Sequence, residues 1–239
     1  MTEIPIDTLL MPDKRLTSVS FSYDEKIAIG CATDSSGYVY SIDDGKLIDK
    51  ENPIVLNTGK EEVTALCKVV FHPNKKILGI CDLSGITLWS YEDDDEFKLL
   101  HTIQLNKTES NPFTTIHSFA FDPSKTNYLA YSTYGKLNGS FKHYIVILDL
   151  TSIYDGTQNN KSLRPHSIIS NRHFAFDVYN MSFHPSKQIL AIGVFKFVIL
   201  FKIGTVEPII VFENYEPTIN LTSLVFHNNG DFLASGYNT

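Results

Sequence analysis

The sequence of 239 residues predicts an all-β fold made of repeated four-stranded antiparallel units. Three observations predict it. An apolar pattern that ends in phenylalanine recurs five times, a polar turn and a short β-branched or aromatic run follow each copy, and no stretch shows the 3.6-residue periodicity of a helix. The five anchoring residues are Phe21, Phe71, Phe121, Phe183 and Phe226, which are separated by 50, 50, 62 and 43 residues.

The first predicted strand of each unit leads up to the anchor. Apolar residues occupy the positions five and two residues before the anchor in all five copies. A polar turn then follows, and its Pro, Asn, Asp, Ser and Gly residues preset or tolerate turn dihedral angles. The apolar pairs are Leu16 and Val19, Leu66 and Val69, Ile116 and Phe119, Val178 and Met181, and Leu221 and Leu224.

The later strands of each unit are short apolar runs bounded by turn residues, as is typical of β-strands. Second strands are predicted at residues 27–30, 77–80, 128–131, 189–193 and 232–236. Third strands follow in four copies, at residues 38–42, 86–91, 144–150 and 197–203. Looser fourth segments come next, at residues 54–56, 99–105, 167–170 and 208–212.

A repeated four-stranded unit of about 45 residues is typical of a β-propeller blade. We therefore predict one propeller with about four and a half four-stranded antiparallel blades, since the fifth copy shows only two strands. Residues 1–15 contain Ile6–Met11, a candidate closing strand. A fragment of a larger propeller and a compact five-bladed ring are the two alternatives. The predicted units are approximately residues 16–57, 63–106, 115–172, 178–214 and 221–239.

Three copies carry a resemblance to the WD-repeat family: Val178–Ile203, Leu221–Gly236 and residues 63–91, the last closing on Leu88-Trp89. The chain departs from the family pattern in two ways. The Gly-His pair expected before each first strand is absent, and the Trp-Asp pair that ends the third strand is degenerate, as in Trp89-Ser90. The resemblance implies the propeller fold without the hydrogen-bond network that those pairs make in the family.

Composition narrows the classes of partner and compartment. The net charge of −7 opposes sequence-independent nucleic-acid binding, which needs a basic face. Three cysteines without paired spacing favour a reducing compartment, so we expect a cytoplasmic protein, with the nucleus as the alternative. No signal peptide and no apolar run of about 18 residues is found, so we expect no membrane association.

Histidines and acidic residues are the candidate catalytic or metal-binding groups of this sequence. His72, His184 and His227 occupy the same position directly after the anchor in three repeats, which indicates turn residues. No histidine pair has metal-ligand spacing, and the acidic run 92–96 lacks the pattern of a calcium loop. Phosphate-loop and nucleophile motifs are also absent, so we expect no enzyme activity, no metal and no cofactor.

Two longer segments and one short turn are candidate binding loops, since loops on a rigid scaffold often carry function. Residues 134–143 are predicted to extend the turn before the third strand of the third unit. Residues 151–172 extend the connection that follows this strand. Phe195 lies in an unusually short turn between the second and third strands of the fourth unit.

The WD-repeat resemblance implies a function in binding other proteins or peptides. In that family partners bind mainly on the narrower face, which is formed by the turns between second and third strands and by the loops into first strands. Carried onto this sequence, the first set comprises Asp34, Asp82, Tyr134 and Phe195, and the second set comprises Lys60, Glu62 and Asp177.

We therefore predict a non-catalytic interaction scaffold. The alternatives are a regulatory or sensor propeller domain of a larger protein, and a propeller enzyme with convergent carboxylates or histidines. The sequence leaves the oligomeric state open.

Overall fold

The structure is a computed structural model, and it describes most of the chain. Among the described residues it is all-β, with nineteen strands and one short helix. No helix in this part of the chain combines the length and the apolar character that a membrane span requires. The described residues are 16–32, 36–43, 46–47, 54–57, 66–82, 85–91, 96–105, 113–124, 127–137, 140–156, 163, 165–169, 177–178, 180–214 and 220–238.

The described residues divide into two compact units. The first comprises residues up to 82 together with 87–100, and the second comprises 85–86 and residues from 101 onward, so the division runs through the second sheet. The first sheet has the order β1-β2-β3-β4, with β5 also paired to β3, and the second has the order β6-β7-β8-β9. These strands are β1 Leu16–Phe21, β2 Ile27–Ala32, β3 Ser36–Asp43, β4 Lys46–Leu47, β5 Ile54–Asn57, β6 Leu66–Phe71, β7 Ile77–Asp82, β8 Gly85–Tyr91 and β9 Phe97–Gln104.

The second unit holds two further four-stranded sheets and one two-stranded sheet. Their orders are β10-β11-β12-β13, β14-β15-β16-β17 and β18-β19, and the registered pairs in all three are antiparallel. The elements are β10 Phe113–Phe121, β11 Tyr128–Leu137, β12 Ser140–Asp149, α1 Thr151–Tyr154, β13 Pro165–Ile169, β14 Asn180–Phe183, β15 Ile189–Val194, β16 Phe197–Lys202, β17 Pro208–Glu213, β18 Asn220–Phe226 and β19 Leu233–Asn238.

The predicted succession of strands is confirmed, with one difference in the first repeat and two in the third. In the first repeat, β4 adds an unpredicted fifth strand to the sheet. Residues 134–143, predicted as an extended turn, instead lengthen β11 and β12 into one hairpin whose register continues to the pair Leu137 and Ser140. The connection after β12 begins with the four-residue helix α1, whereas we expected almost no helix. Leu150 and Ile153 of this segment are buried, so apolar contacts hold the turn of helix in place.

The turn after each first strand is closed by the side chain that follows the anchor. The Nδ1 atom of His72 accepts a hydrogen bond from the Asn74 N–H at 3.3 Å, and that of His184 accepts one from the Ser186 N–H at 3.1 Å. Asp122 Oδ1 accepts from the Ser124 N–H at 2.8 Å in the same way. An acceptor two residues before a backbone N–H stabilises a turn. The prediction that these histidines are turn residues is therefore confirmed for His72 and His184, and His227 makes the same bond at 3.3 Å.

The core lies between neighbouring sheets, where their apolar faces pack together. In the first unit one buried cluster joins residues of β2 and β3 to residues of β6 and β7. In the second unit one cluster joins the third sheet to the fourth, and another joins the fourth to β18.

First strands of successive sheets also lie side by side within each unit. The pairs that pack are β1 with β6, β10 with β14, and β14 with β18. Ser20 Oγ, one residue before its anchor, accepts a hydrogen bond from the Phe71 N–H at 3.1 Å. Ser182 Oγ, at the same repeat position, accepts one from the Phe226 N–H at 3.0 Å. Equivalent serines thus bond the first sheet to the second, and the fourth sheet to β18.

Candidate functional site

The structure places four of the seven predicted site residues. Asp34, Lys60 and Glu62 lie outside the described residues. Asp82 ends β7 and is only 2% exposed, so it is not part of the exposed surface. The remaining three, Tyr134, Asp177 and Phe195, are partly exposed and belong to the second unit. The candidate site is therefore built around these three.

Tyr134 lies near the tip of the β11–β12 hairpin. It is directly opposite His143 in the register of the two strands, so both side chains lie on the same face of the sheet. Their rings contact each other, with centroids 4.9 Å apart and planes inclined by 45°. β10 also reaches this part of the hairpin, because Thr115 is opposite Tyr134 and Phe113 is opposite Gly135.

Asp177 comes from the segment that leads into β14. Its Oδ1 atom lies 3.1 Å from Nε2 of His117 on β10 and 3.0 Å from Nδ1 of His143 on β12. The contact with His143 is short, but it lacks the angle of a hydrogen bond. Thr115 Oγ1 is 3.1 Å from the same Nε2 atom of His117. One carboxylate oxygen thus joins two strands of the third sheet to the entry of the fourth.

A buried hydrogen bond holds this segment in position. Ser132 Oγ, on β11, donates to the backbone carbonyl of Val178 at 2.6 Å. Both residues are buried, and a buried hydrogen bond that is lost leaves a polar group unsatisfied at a cost of about 1–3 kcal/mol. Because Val178 directly follows Asp177, the bond fixes the backbone beside the carboxylate.

Burial controls the charge of the two imidazoles. Desolvation lowers the pKa of His117, although the Asp177 carboxylate opposes this effect. Desolvation also lowers the pKa of His143, where Asp177 again opposes it and His117 adds a smaller lowering effect. The lowered pKa values favour the neutral form of both rings. The exposed fractions of the side chains are 15% for His117, 16% for His143 and 30% for Asp177.

The cluster offers an aromatic ring, two neutral imidazoles and a half-buried carboxylate on one surface. Such groups recognise polar or cationic side chains through hydrogen bonds and ring contacts. Among the residues that the structure describes, no group of three or more His, Cys, Asp or Glu side chains is placed to hold a metal ion.

Phe195 lies at a separate place, in the two-residue turn between β15 and β16. Its φ of 53° is in the left-handed region, which costs a non-glycine residue about 1–2 kcal/mol. The Phe195 carbonyl accepts a hydrogen bond from the Leu221 N–H at 2.9 Å, so the turn is bonded to the start of β18. This turn connects the second and third strands of the fourth sheet, as the β11–β12 hairpin tip does in the third sheet. The strained turn therefore holds an aromatic side chain at the corresponding end of its sheet.

Sequence reasoning missed the two histidines that complete the cluster. His117 lies four residues before its anchor, a position filled by Thr17, Cys67, Tyr179 and Thr222 in the other copies. A histidine at this repeat position, where the other copies have Thr, Cys or Tyr, was the only signal in the sequence that singled out His117. His143 had none, because its partner across the hairpin depends on the register of β11 and β12.

Comparison with known proteins adds no relative. No family model matches the chain, and no curated protein matches it significantly. The resemblance to the WD-repeat family therefore depends on the residues quoted from the sequence.

Proposed function

We propose that this protein is a non-catalytic scaffold for protein–protein interaction, built as a WD-repeat type of β-propeller. The observation that carries the proposal is the meeting of Tyr134, His143 and Asp177 at one end of the third sheet. Tyr134 comes from the hairpin between second and third strands, and Asp177 comes from the segment into the next first strand. These are the two kinds of loop from which the resemblance predicts the binding face.

Two features support the propeller architecture. Each four-stranded sheet runs from its first to its fourth strand in chain order, as a propeller blade does. Within each unit, the first strands of successive sheets are neighbours, and serines at equivalent repeat positions bond β1 to β6 and β14 to β18. In a propeller the first strands are the innermost ones, and they are neighbours around the channel.

The chemistry of the cluster supports a partner that presents a cationic or hydrogen-bonding side chain next to an apolar one. The Tyr134 ring gives contact area at a low cost in side-chain entropy, as aromatic residues do in many interfaces. The Asp177 carboxylate gives charge complementarity for Lys or Arg. We place this interaction in the cytoplasm or nucleus, and the buried Cys81 forms no disulfide.

Photo-crosslinking tests the proposal. A benzophenone amino acid at position 134 captures a partner in cells, and the same substitution at Tyr23 is the control, because Tyr23 is an exposed turn tyrosine of the first unit. We expect one protein to be captured from position 134 and not from position 23. Tyr134→Ala should then weaken the purified complex about tenfold, while Tyr23→Ala leaves it unchanged. Equal capture at the two positions, or equal affinity of the two alanine variants, rules out this binding face.

A further inference from the structure

One buried histidine, His184, joins the turn between β14 and β15 to the turn between β18 and β19. It directly follows the anchor Phe183 and is 4% exposed. Its ring lies against Phe226, the anchor of the next repeat, with centroids 5.1 Å apart and planes inclined by 59°. A hydrogen bond also joins the ring to the backbone of Gly230. We call this set of contacts the His184 joint.

The facing turn leaves space for the ring because it contains a glycine. Gly230 has a φ of 80°, in the left-handed region that favours glycine. A Cβ atom at this position would overlap the ring of His184. The residue four places after the anchor is Glu or Lys in the other four copies of the repeat. Glycine at this place therefore lets the two turns approach each other.

The hydrogen bonds of the joint require a neutral imidazole. The Nδ1 atom of His184 accepts bonds from the N–H groups of Ser186 and Lys187, each at 3.1 Å. A ring nitrogen that accepts a hydrogen bond carries no proton, so the proton of the neutral ring is on Nε2 and is donated to the Gly230 carbonyl. Protonation adds a hydrogen to Nδ1, which then faces two N–H donors. The charged ring therefore loses both bonds and does not fit this position.

Two charges of opposite sign act on the ring from the two turns. Burial lowers the pKa of His184, and Lys187 in the same turn lowers it further, whereas the bond to Gly230 and the carboxylate of Asp231 in the facing turn raise it. The net effect is a pKa below the ordinary value of 6.5. The joint is therefore complete above pH 6.5 and weakens as the pH falls toward the pKa of the folded state.

We propose that His184 is a pH-sensitive switch built into the fold: mild acid protonates its ring, and the joint between the fourth sheet and β18–β19 opens. The apolar contacts beside the joint, where Leu221 and Leu224 of β18 pack with Val198 of β16, then open as well. The Ser182 hydroxyl that bonds the Phe226 N–H does not titrate, so it holds the two sheets with the same strength at both pH values. The switch is independent of the Tyr134–Asp177 cluster and of the proposed binding function.

Hydrogen exchange measured by NMR on the full 239-residue chain tests the switch. We expect the protection factors of amides in β18 and β19 to fall about tenfold between pH 7.5 and pH 4.5, which corresponds to a difference of about one pKa unit between the closed and open states. The fall should begin near pH 6.5 and end at the pH at which the His184 ring titrates in the NMR spectrum. Amides in β15 and β16 should show no such fall, because the opening is local.

Two charge variants separate a titrating switch from a purely structural contact. Lys187 and Asp231 are exposed, so neutralising either one leaves the packing of the ring unchanged. Asp231→Asn removes the charge that favours the protonated ring, so the fall in protection should end at a lower pH. Lys187→Gln removes the charge that disfavours it, so the fall should end at a higher pH. Each shift should be about 0.3 pH unit, as expected for exposed charges.

Replacement of the histidine itself completes the test. His184→Asn keeps an acceptor for the Ser186 N–H but does not titrate, so the protection of β18 and β19 should be low at both pH values. His227→Asn is the matched control, because His227 has the same position in the next repeat, is exposed, and contacts Phe232 with its ring. It should keep the pH profile of the wild type.

Several outcomes overturn the switch. Equal protection of β18 and β19 at pH 7.5 and pH 4.5 does so, as does a wild-type profile in His184→Asn or a shift in the same direction in both charge variants. A parallel fall in β15 and β16 also overturns it, because the sheets then unfold together. Circular dichroism at both pH values shows whether each variant is folded, and the two charge variants still decide the question if His184→Asn is not.

Discussion

His72 makes the stability of the first unit sensitive to acid. The side chain follows the anchor Phe71, closes the turn through its Nδ1 atom and is 0% exposed. Burial lowers the pKa of His72 to about 4, and the charge of Lys75 adds to this effect. The pKa of the same histidine in the unfolded chain is 6.5. The folded state therefore binds fewer protons than the unfolded chain between these two values.

The size of the effect follows from the difference in pKa. The stabilisation is present in full above pH 6.5 and is lost as the pH falls toward 4, because the unfolded chain gains the proton first. Each pKa unit corresponds to about 1.4 kcal/mol, so the free energy of unfolding falls by about 2.5 kcal/mol between pH 7.5 and 4.5. The free energy of unfolding of a domain is commonly about 5–15 kcal/mol, so the contribution of this one side chain is large enough to measure.

The replacement His72→Asn tests this reasoning, because asparagine keeps a side-chain acceptor for the Asn74 N–H but does not titrate. Urea unfolding of both proteins at pH 7.5 and pH 4.5 gives four free energies. We expect the wild type to lose about 2.5 kcal/mol more than the variant as the pH is lowered. His227→Asn makes the same replacement at an exposed turn and controls for the substitution itself. An equal loss in the wild type and His72→Asn would refute the assignment of acid sensitivity to His72.

Three further predictions concern the second unit. Ser182→Ala removes the acceptor of the Phe226 N–H, so urea unfolding should show a loss of about 1 kcal/mol, and no loss would mean that water replaces the hydroxyl. Gly230→Ala forces a side chain into a backbone with φ of 80° and against the ring of His184, so the melting temperature should fall by several degrees, corresponding to about 2 kcal/mol. Asp177→Asn removes the carboxylate that opposes the lowering of the pKa values of His117 and His143, so both pKa values should fall in an NMR titration. Unchanged values would exclude an electrostatic effect of Asp177 on the two rings.

The sequence predicted the repeated elements well because their signals are local. Anchors, turn residues and short apolar runs lie within a few residues of one another, and the structure has strands where they were expected. The strands of the β11–β12 hairpin were predicted, but their extension was missed because Gly135, Gly139 and polar residues at 134–143 favour a turn. Cross-strand pairing continued through this polar stretch, and such pairing is not visible in local composition.

The candidate site was predictable only in part. Tyr134 and Asp177 were selected because they belong to two different kinds of loop in the repeat pattern. Their position next to His143 and His117 depends on strand register and on the packing of one sheet against the next. The burial of Asp82 was also not visible in the sequence, since a carboxylate at the end of a strand is more often exposed.

By itself, the sequence determined the repeated succession of antiparallel strands and the turns after the anchors. These follow from residue preferences and from a pattern that recurs in the chain. Tertiary structure alone decided that one carboxylate meets two histidines 60 and 34 residues away, and that Asp82 is buried. The physical reason is that charge, desolvation and exposure depend on which distant segments come together, and short-range preferences do not encode those distances.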